Sequence, residues 1–304
     1  MKIPEKRRPL VVEIKRNALD DGPGIRTTIF FKGCPLACVW CQNPEAVRTA
    51  PEIVYSPDDC LLCGACEEIC PEGAIDLERH PRIVDRVRCR RGGSCTTVCP
   101  GQGIRLMGRY YPVAELAAIA AADLPFYKNS GGGVTLSGGE PTLYPRYLEQ
   151  LLQALKFKRI HLNLESCGHY HRPVFERYIL PHLDLIYFDI KLIDPGEHLC
   201  YTGRDNSRIH ENFKALIRSG GVPVLPRVPL IPGITDTAEN LSGIASFLRK
   251  LGLRKTALLP YNPLWVPKIE SLGHEGSYRC DRWMSPQELE RCAAHFDDFE
   301  LEQF

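Results

Sequence analysis

Residues 25–45 read IRTTIFFKGCPLACVWCQNPE. The opening IRTTIFF is a short apolar, β-branched run that stops near Gly33, the pattern of a buried strand. Cys34, Cys38 and Cys41 follow directly, spaced Cys-x3-Cys-x2-Cys, with no fourth cysteine at close range. Three thiolates on one tight loop can hold three irons of a [4Fe–4S] cube and leave the fourth iron free for a substrate. An open iron separates a reactive cluster from an electron wire.

Outward from this strand, strand and helix patterns alternate. Strands are predicted at 133–137, 160–166, 183–192, 222–230 and 256–261, with helices at 112–123, 144–156, 172–179, 207–219 and 239–252. About six βα units predict an α/β fold with a parallel sheet. Six are too few to close an eight-stranded barrel, so the expectation is an open, partial (β/α)6 barrel with active residues at the C-terminal strand ends. Polar residues do fall there: Ser137-Gly138-Gly139-Glu140, Glu165-Ser166, Asp189 with Lys191, Arg227, and Tyr261-Asn262.

The pattern is interrupted by a turn-rich block at about 52–107, which predicts an inserted domain between barrel segments 1–51 and 108–304. Of 14 cysteines, ten lie between Cys34 and Cys99, too tightly spaced for ordinary disulfide loops. Inside the block, Cys60-x2-Cys63-x2-Cys66-x3-Cys70-Pro71 is the bacterial ferredoxin run, whose fourth cysteine serves the other cluster. The weaker alternative is zinc, which usually takes two separate Cys-x2-Cys knuckles. Cys89, Cys95, Cys99 and Pro100 make a second half that has Gly92 where a cysteine is expected. Crossed ligation gives one complete auxiliary [4Fe–4S] cluster from Cys60, Cys63, Cys66 and Cys99. Cys70, Cys89 and Cys95 remain, one ligand short: a [3Fe–4S] cluster, a [4Fe–4S] cluster with a non-cysteine ligand, or a decayed site. The scattered Cys167, Cys200, Cys280 and Cys292 read as small apolar residues.

A formal net charge of +1 gives no reason to expect nucleic acid or an acidic membrane surface as partner. The basic start, including Lys6, Arg7 and Arg8, reads as a solvated segment without signal-peptide features. No apolar run reaches membrane-spanning length. Clustered cysteines without a secretion signal point to metal ligation in a reducing cytoplasm.

The runs DGPGIRTTIFFKGCPLACVWCQNPE, GGGVTLSGGEPTL, YFDIKLID, YTGRDNSRIHEN, VPLIPGITD and LLPYNP resemble those of radical S-adenosylmethionine (radical SAM) enzymes, specifically the activases of glycyl-radical enzymes. With the insert, the likeness covers nearly the whole chain. DGPGIR is the more specific of these runs, since the cysteine trio belongs to the entire superfamily.

The resemblance implies that Cys34, Cys38 and Cys41 hold the reactive cluster and that S-adenosylmethionine chelates its open iron. Trp40 would sit by the adenine, with Cys41 and Gln42 alongside. The Gly138-Gly139-Glu140 turn would approach the methionyl amine, and Lys191 the carboxylate or ribose. Asp189, Arg227 and Asn262 complete the expected cofactor contacts. Glu165, Ser166 and Asp189 fall where activases hold Na+ or K+. Glu165 stands where many relatives have Asp, and Asn262 where many have His. The implied chemistry is one-electron cleavage of the sulfonium, at potentials Fe–S clusters can reach. The resulting 5′-deoxyadenosyl radical takes an α-hydrogen from a glycine of a partner glycyl-radical enzyme, with no amino-acid acid or base. Flavodoxin or ferredoxin would supply electrons, with the insert as wire or docking surface. The alternative is a radical enzyme or maturase acting on a small molecule or peptide through its auxiliary clusters.

Overall fold

The structure, a computed structural model, describes residues 8–274 and 276–302. In chain order the elements are β1 (Leu10–Ala18), β2 (Arg26–Phe31), β3 (Glu52–Tyr55), α1 (Ala65–Glu68), α2 (Ser94–Thr97), β4 (Ile104–Met107), β5 (Arg109–Tyr110), α3 (Val113–Ala121), α4 (Leu124–Ser130), β6 (Gly133–Gly138), α5 (Pro145–Phe157), β7 (His161–Ser166), α6 (Arg172–Tyr178), β8 (Leu185–Asp189), α7 (Pro195–Thr202), α8 (Ser207–Ser219), β9 (Val224–Pro229), α9 (Ala238–Lys250), β10 (Lys255–Leu259), α10 (Val266–Ser271), α11 (Pro286–Ala293) and β11 (Glu300–Glu302).

Nine strands form one open sheet in the order β11-β10-β9-β8-β7-β6-β2-β1-β5. β2 and β6 to β10 are the six expected parallel strands, and they make the partial barrel. The structure adds three strands. β11 extends the parallel run beside β10, while β1 and β5 close the other end antiparallel. Lys6 and Arg7 lie outside the described residues. Arg8 is not fully solvated; its guanidinium lies 4.7 Å over the Tyr110 ring.

The two sheet faces carry different chemistry because successive strand residues alternate sides. Ile29, Val134, Leu136, Leu162, Leu164, Ile186, Phe188 and Val228 face the helices in one buried cluster. In α5, Leu148, Leu151, Leu152 and Leu155 are fully buried at helical spacing. Burying each such side chain contributes about 1.5–3 kcal/mol. The inner face is polar instead: Thr28, Thr135 and Asn163 align in register low in the barrel, and Asp189 pairs with Arg227 near the mouth. None of the helices among the described residues is long and apolar enough to cross a membrane.

Residues 52–107 close on themselves. β3 and β4 pair antiparallel from Glu52↔Met107 to Tyr55↔Ile104. A small buried cluster of their own joins Ile53, Tyr55, Ile75, Ile83 and Ile104 to Cys66 and Cys95. The block is tied to the barrel where Glu52 meets Lys32, and where Arg86 donates to the carbonyls of Ile53 and Ser271.

Candidate active site

The cysteine loop leaves β2 at the open end of the barrel and is fixed by other segments' backbone. Gly33 N donates to Ala46 O (2.7 Å), Ala37 N to Thr202 O (2.8 Å) and Val39 N to Tyr201 O (3.1 Å). The YTG run at the end of α7 is thereby a brace for the loop. From the other side, Gly139 N donates to Phe31 O and Glu140 N to Gly33 O, at 2.8 and 2.7 Å. A Cβ at Gly139 would lie 2.2 Å from Gly33 O and 2.6 Å from Ala46 O. These glycines serve close packing of the turn against the cysteine loop.

Glu140 is used differently from the expectation that its carboxylate meets an ammonium. It is fully buried, and its oxygens accept from Thr142 Oγ1 (2.7 Å), Ser166 Oγ (3.0 Å) and Cys167 N (2.8 Å). It pins the end of β7 to the turn.

Across β6 to β9, one charged ladder spans the mouth. Ser137 Oγ donates to Glu165 (2.6 Å), and Arg227 bridges Glu165 at 2.5 Å and Asp189 at 2.9 Å. Lys191 Nζ completes the ladder on Asp189 at 2.8 Å. Two carboxylates and two cations balance. Burial pushes Glu165 up despite Arg227. Burial also opposes the charged form of Asp189, but Arg227 and Lys191 outweigh it and hold the carboxyl below its ordinary value. Lys191 is likewise held above the ordinary lysine value, because Asp189 and the nearby thiols outweigh burial. Glu165, Ser166 and Asp189 do not gather around one point. The guanidinium of Arg227 stands between the two carboxylates where a Na+ or K+ ion was expected, and Ser166 turns to Glu140.

Cys34, Cys38 and Cys41 are half-buried on their loop. A hydrogen bond with Cys167 lowers Cys34 against its burial, while burial pushes Cys38 up to about 12 and Cys41 higher still. Iron binding must therefore displace the protons of Cys38 and Cys41 against that burial. Three soft thiolates with Lys191 beside them fit an Fe–S cluster. Gln42 Nε2 reaches Asn262 O at 3.2 Å, bringing those two expected residues together. Trp40 is buried beside Tyr201, Leu192 and Trp265.

The family model of the radical SAM superfamily matches residues 28–242. The chain belongs to the radical SAM superfamily. Among its relatives, the isethionate sulfite-lyase activating enzyme of Desulfovibrio desulfuricans is 38% identical over 90% of both chains. The choline trimethylamine-lyase activating enzyme of Oleidesulfovibrio alaskensis is 35% identical over 95% of both. A radical SAM methyltransferase structure from Sphaerobacter thermophilus shares the fold, with a TM-score of 0.53 at 12% identity, covering 96% of this chain and 76% of that one.

Beyond the cysteine loop of the barrel, the other seven clustered cysteines fall into two places. Cys60, Cys63, Cys66 and Cys99 line one pocket of the insert, beneath Tyr55 and Ile104. Cys70, Cys89 and Cys95 line a second, with Gly92. Backbone amides point at two of the sulfurs: Leu62 N to Cys60 Sγ (3.4 Å) and Ala74 N to Cys70 Sγ (3.3 Å). Among the described residues, no three His, Cys, Asp or Glu side chains converge on a single ion, as a mononuclear zinc site requires.

Sequence reasoning missed the supports under the cysteine loop. Lys32 is fully buried, with Nζ 2.6 Å from Glu52 and 2.5 Å from Glu45 O. Lys268, on the unexpected helix α10, reaches Gln42 O and Glu45 at 3.1 Å. A lysine immediately before a cysteine loop was a visible signal for Lys32; Lys268 had none.

Proposed function

We propose that the chain activates a partner glycyl-radical enzyme. The observation that carries the reading is the likeness to activating enzymes along nearly the whole chain, joined to a cysteine trio on one braced loop at the barrel mouth beside a balanced charged ladder. Cys34, Cys38 and Cys41 would hold a [4Fe–4S] cluster and leave one iron for the amine and carboxylate of S-adenosylmethionine. Once bound there, the pair supplies a 5′-deoxyadenosyl radical able to take a glycine α-hydrogen.

The protein's own residues bind and orient. Lys191 offers an ammonium to the methionyl carboxylate or ribose. Asp189 and Arg227 hold Lys191 in place, and Glu165 completes their charge balance. The Gly138-Gly139-Glu140 turn and the YTG run keep the trio rigid, while Trp40, Gln42 and Asn262 bound the adenine side. No side chain here needs to titrate.

In the insert, Cys60, Cys63, Cys66 and Cys99 would hold one auxiliary [4Fe–4S] cluster, and Cys70, Cys89 and Cys95 part of a second. Both suit a relay from a flavodoxin or ferredoxin in a reducing cytoplasm. Relatives named as activating enzymes for isethionate sulfite-lyase and choline trimethylamine-lyase support the activase reading across the insert as well.

The test is anaerobic incubation of the iron-loaded chain with S-adenosylmethionine, a reductant and candidate lyases. The expected result is methionine and 5′-deoxyadenosine in equal amounts plus a glycyl doublet in one lyase by electron paramagnetic resonance. Cys41→Ala should abolish both. Cleavage without a doublet in any candidate would refute activase function.

A further inference from the structure

Gly92 occupies the place where the second ferredoxin half should have its missing cysteine. Two structural reasons commonly fix a glycine, and neither applies. Its φ lies outside the left-handed region, unlike that of Gly93 next to it (φ +84°). A Cβ built at Gly92 meets nothing within 4 Å. The space beside Gly92 is open, and Gly92 lines the same pocket as Cys70, Cys89 and Cys95.

The pocket is nevertheless built for a cluster. Counted with its mouth it encloses about 460 Å³, against about 340 Å³ for the pocket of four cysteines. Cys95 is buried, and Ala74 N is directed at Cys70 Sγ. Two other side chains able to act as hard ligands line it, Glu72 and Ser94. Glu72 is 44% exposed, and its carboxylate lies 4.0 Å from Arg90, at the rim.

We infer that the Cys70, Cys89 and Cys95 site is an exchangeable-iron site, with Gly92 marking the corner where a single ferrous ion enters and leaves. This rests on reading the three cysteines as cluster ligands. Oxidised, the site holds [3Fe–4S]+. One electron from the protein's electron donor gives [3Fe–4S]0, which takes up Fe2+ to form [4Fe–4S]2+. Iron and charge balance, and transfer of one electron from the cube to the oxidised form of that donor, with release of Fe2+, returns [3Fe–4S]+. Solvent or a small anion, favoured by Arg90 and Arg91 at the rim, completes the fourth iron's coordination. The second relay site would then be complete only when both reducing equivalents and ferrous iron are at hand.

The experiment uses the full chain with Cys34, Cys38 and Cys41 changed to alanine, so that the barrel cluster contributes no signal. The protein is reconstituted, oxidised, then reduced with dithionite in the presence of 57Fe2+. The expected outcome is a three-iron paramagnetic signal in the oxidised protein and uptake of one 57Fe per chain, seen by Mössbauer spectroscopy. Adding Gly92→Cys should slow that uptake at least about tenfold and remove the three-iron signal, as a fourth thiolate closes the corner. Gly92→Ala, which adds only a methyl, should leave uptake unchanged. Equal uptake with Gly92→Cys and Gly92, or a change produced by Glu72→Gln instead, would overturn the inference. Iron totalling about four per chain before oxidation, instead of about seven or eight, would remove the cluster reading itself and the inference with it.

Discussion

Replacing Arg227 with methionine removes the one side chain that touches both carboxylates of the ladder. Arg227 is about 10% exposed, with Glu165 at 2.5 Å and Asp189 at 2.9 Å. Methionine preserves much of the packing volume but no charge. Asp189 keeps Lys191 at 2.8 Å, whereas Glu165 is left with the hydroxyl of Ser137 alone. Removing one partner of a buried ion pair costs about 3–5 kcal/mol. At roughly 2–4 °C per kcal/mol, the midpoint of thermal unfolding should fall by about 6–20 °C, measured by circular dichroism on the anaerobically loaded chain.

The pH dependence fixes the cause. Burial already raises Glu165, and loss of Arg227 raises it further above its unfolded value, while Asp189, held down by Lys191 as well, loses only part of its depression. A carboxyl whose folded pKa is raised contributes stability at low pH that is lost as pH rises through that value. The deficit of Arg227→Met should therefore be largest at pH 8 and shrink towards pH 5. Adding Glu165→Gln should recover about 1 kcal/mol or more by removing the orphaned charge. A midpoint within about 2 °C of the parent at pH 8, or a deficit that grows on acidification, would refute the ladder as described.

Three further outcomes follow from the loop supports and the insert. Lys32→Met removes the buried ammonium from Glu52, which keeps Arg48 at 3.4 Å and His274 at 3.6 Å, so the cost in chemical denaturation should be about 1–3 kcal/mol, with looser iron binding by the trio. Gly139→Ala drives a methyl into Gly33 O and Ala46 O, so iron content at Cys34, Cys38 and Cys41 should fall, at a cost of about 1–3 kcal/mol in stability. Cys60→Ala combined with Cys63→Ala should spare activation by a small chemical reductant and abolish it with reduced flavodoxin; equal loss with both would make the insert structural.

The parallel strands and amphipathic helices were legible because each strand carries an apolar outer face and the longer helices α5, α8 and α9 an apolar stripe. Helix α8 lies at 207–219, where spacing put it. The edges were not legible. β1 mixes apolar and charged residues in LVVEIKRNA, just after the Lys6, Arg7 and Arg8 run read as solvated, and no strand is predicted there. β11 has three residues, too few for any period to show. Helices α4, α7, α10 and α11 are short, so neighbours rather than propensity hold them.

The cysteines stood out in the sequence since their spacing is local. The ladder did not, because Asp189 meets Arg227 only through strand register. The same holds for Glu140, whose partners Ser166 and Cys167 lie on the next strand, and for Lys32, which pairs across the insert boundary. Residue types alone suggested a cation site at Glu165, Ser166 and Asp189; the fold supplies the positive charge from Arg227.

The most direct test of the central claim is where the glycine hydrogen goes. A cognate glycyl-radical enzyme is prepared with α-deuterated glycine and incubated with the loaded chain, reductant and unlabelled S-adenosylmethionine. The 5′-deoxyadenosine released should carry deuterium, as read by mass spectrometry, in step with growth of the glycyl radical. Unlabelled 5′-deoxyadenosine accompanying a full glycyl signal would contradict the claim.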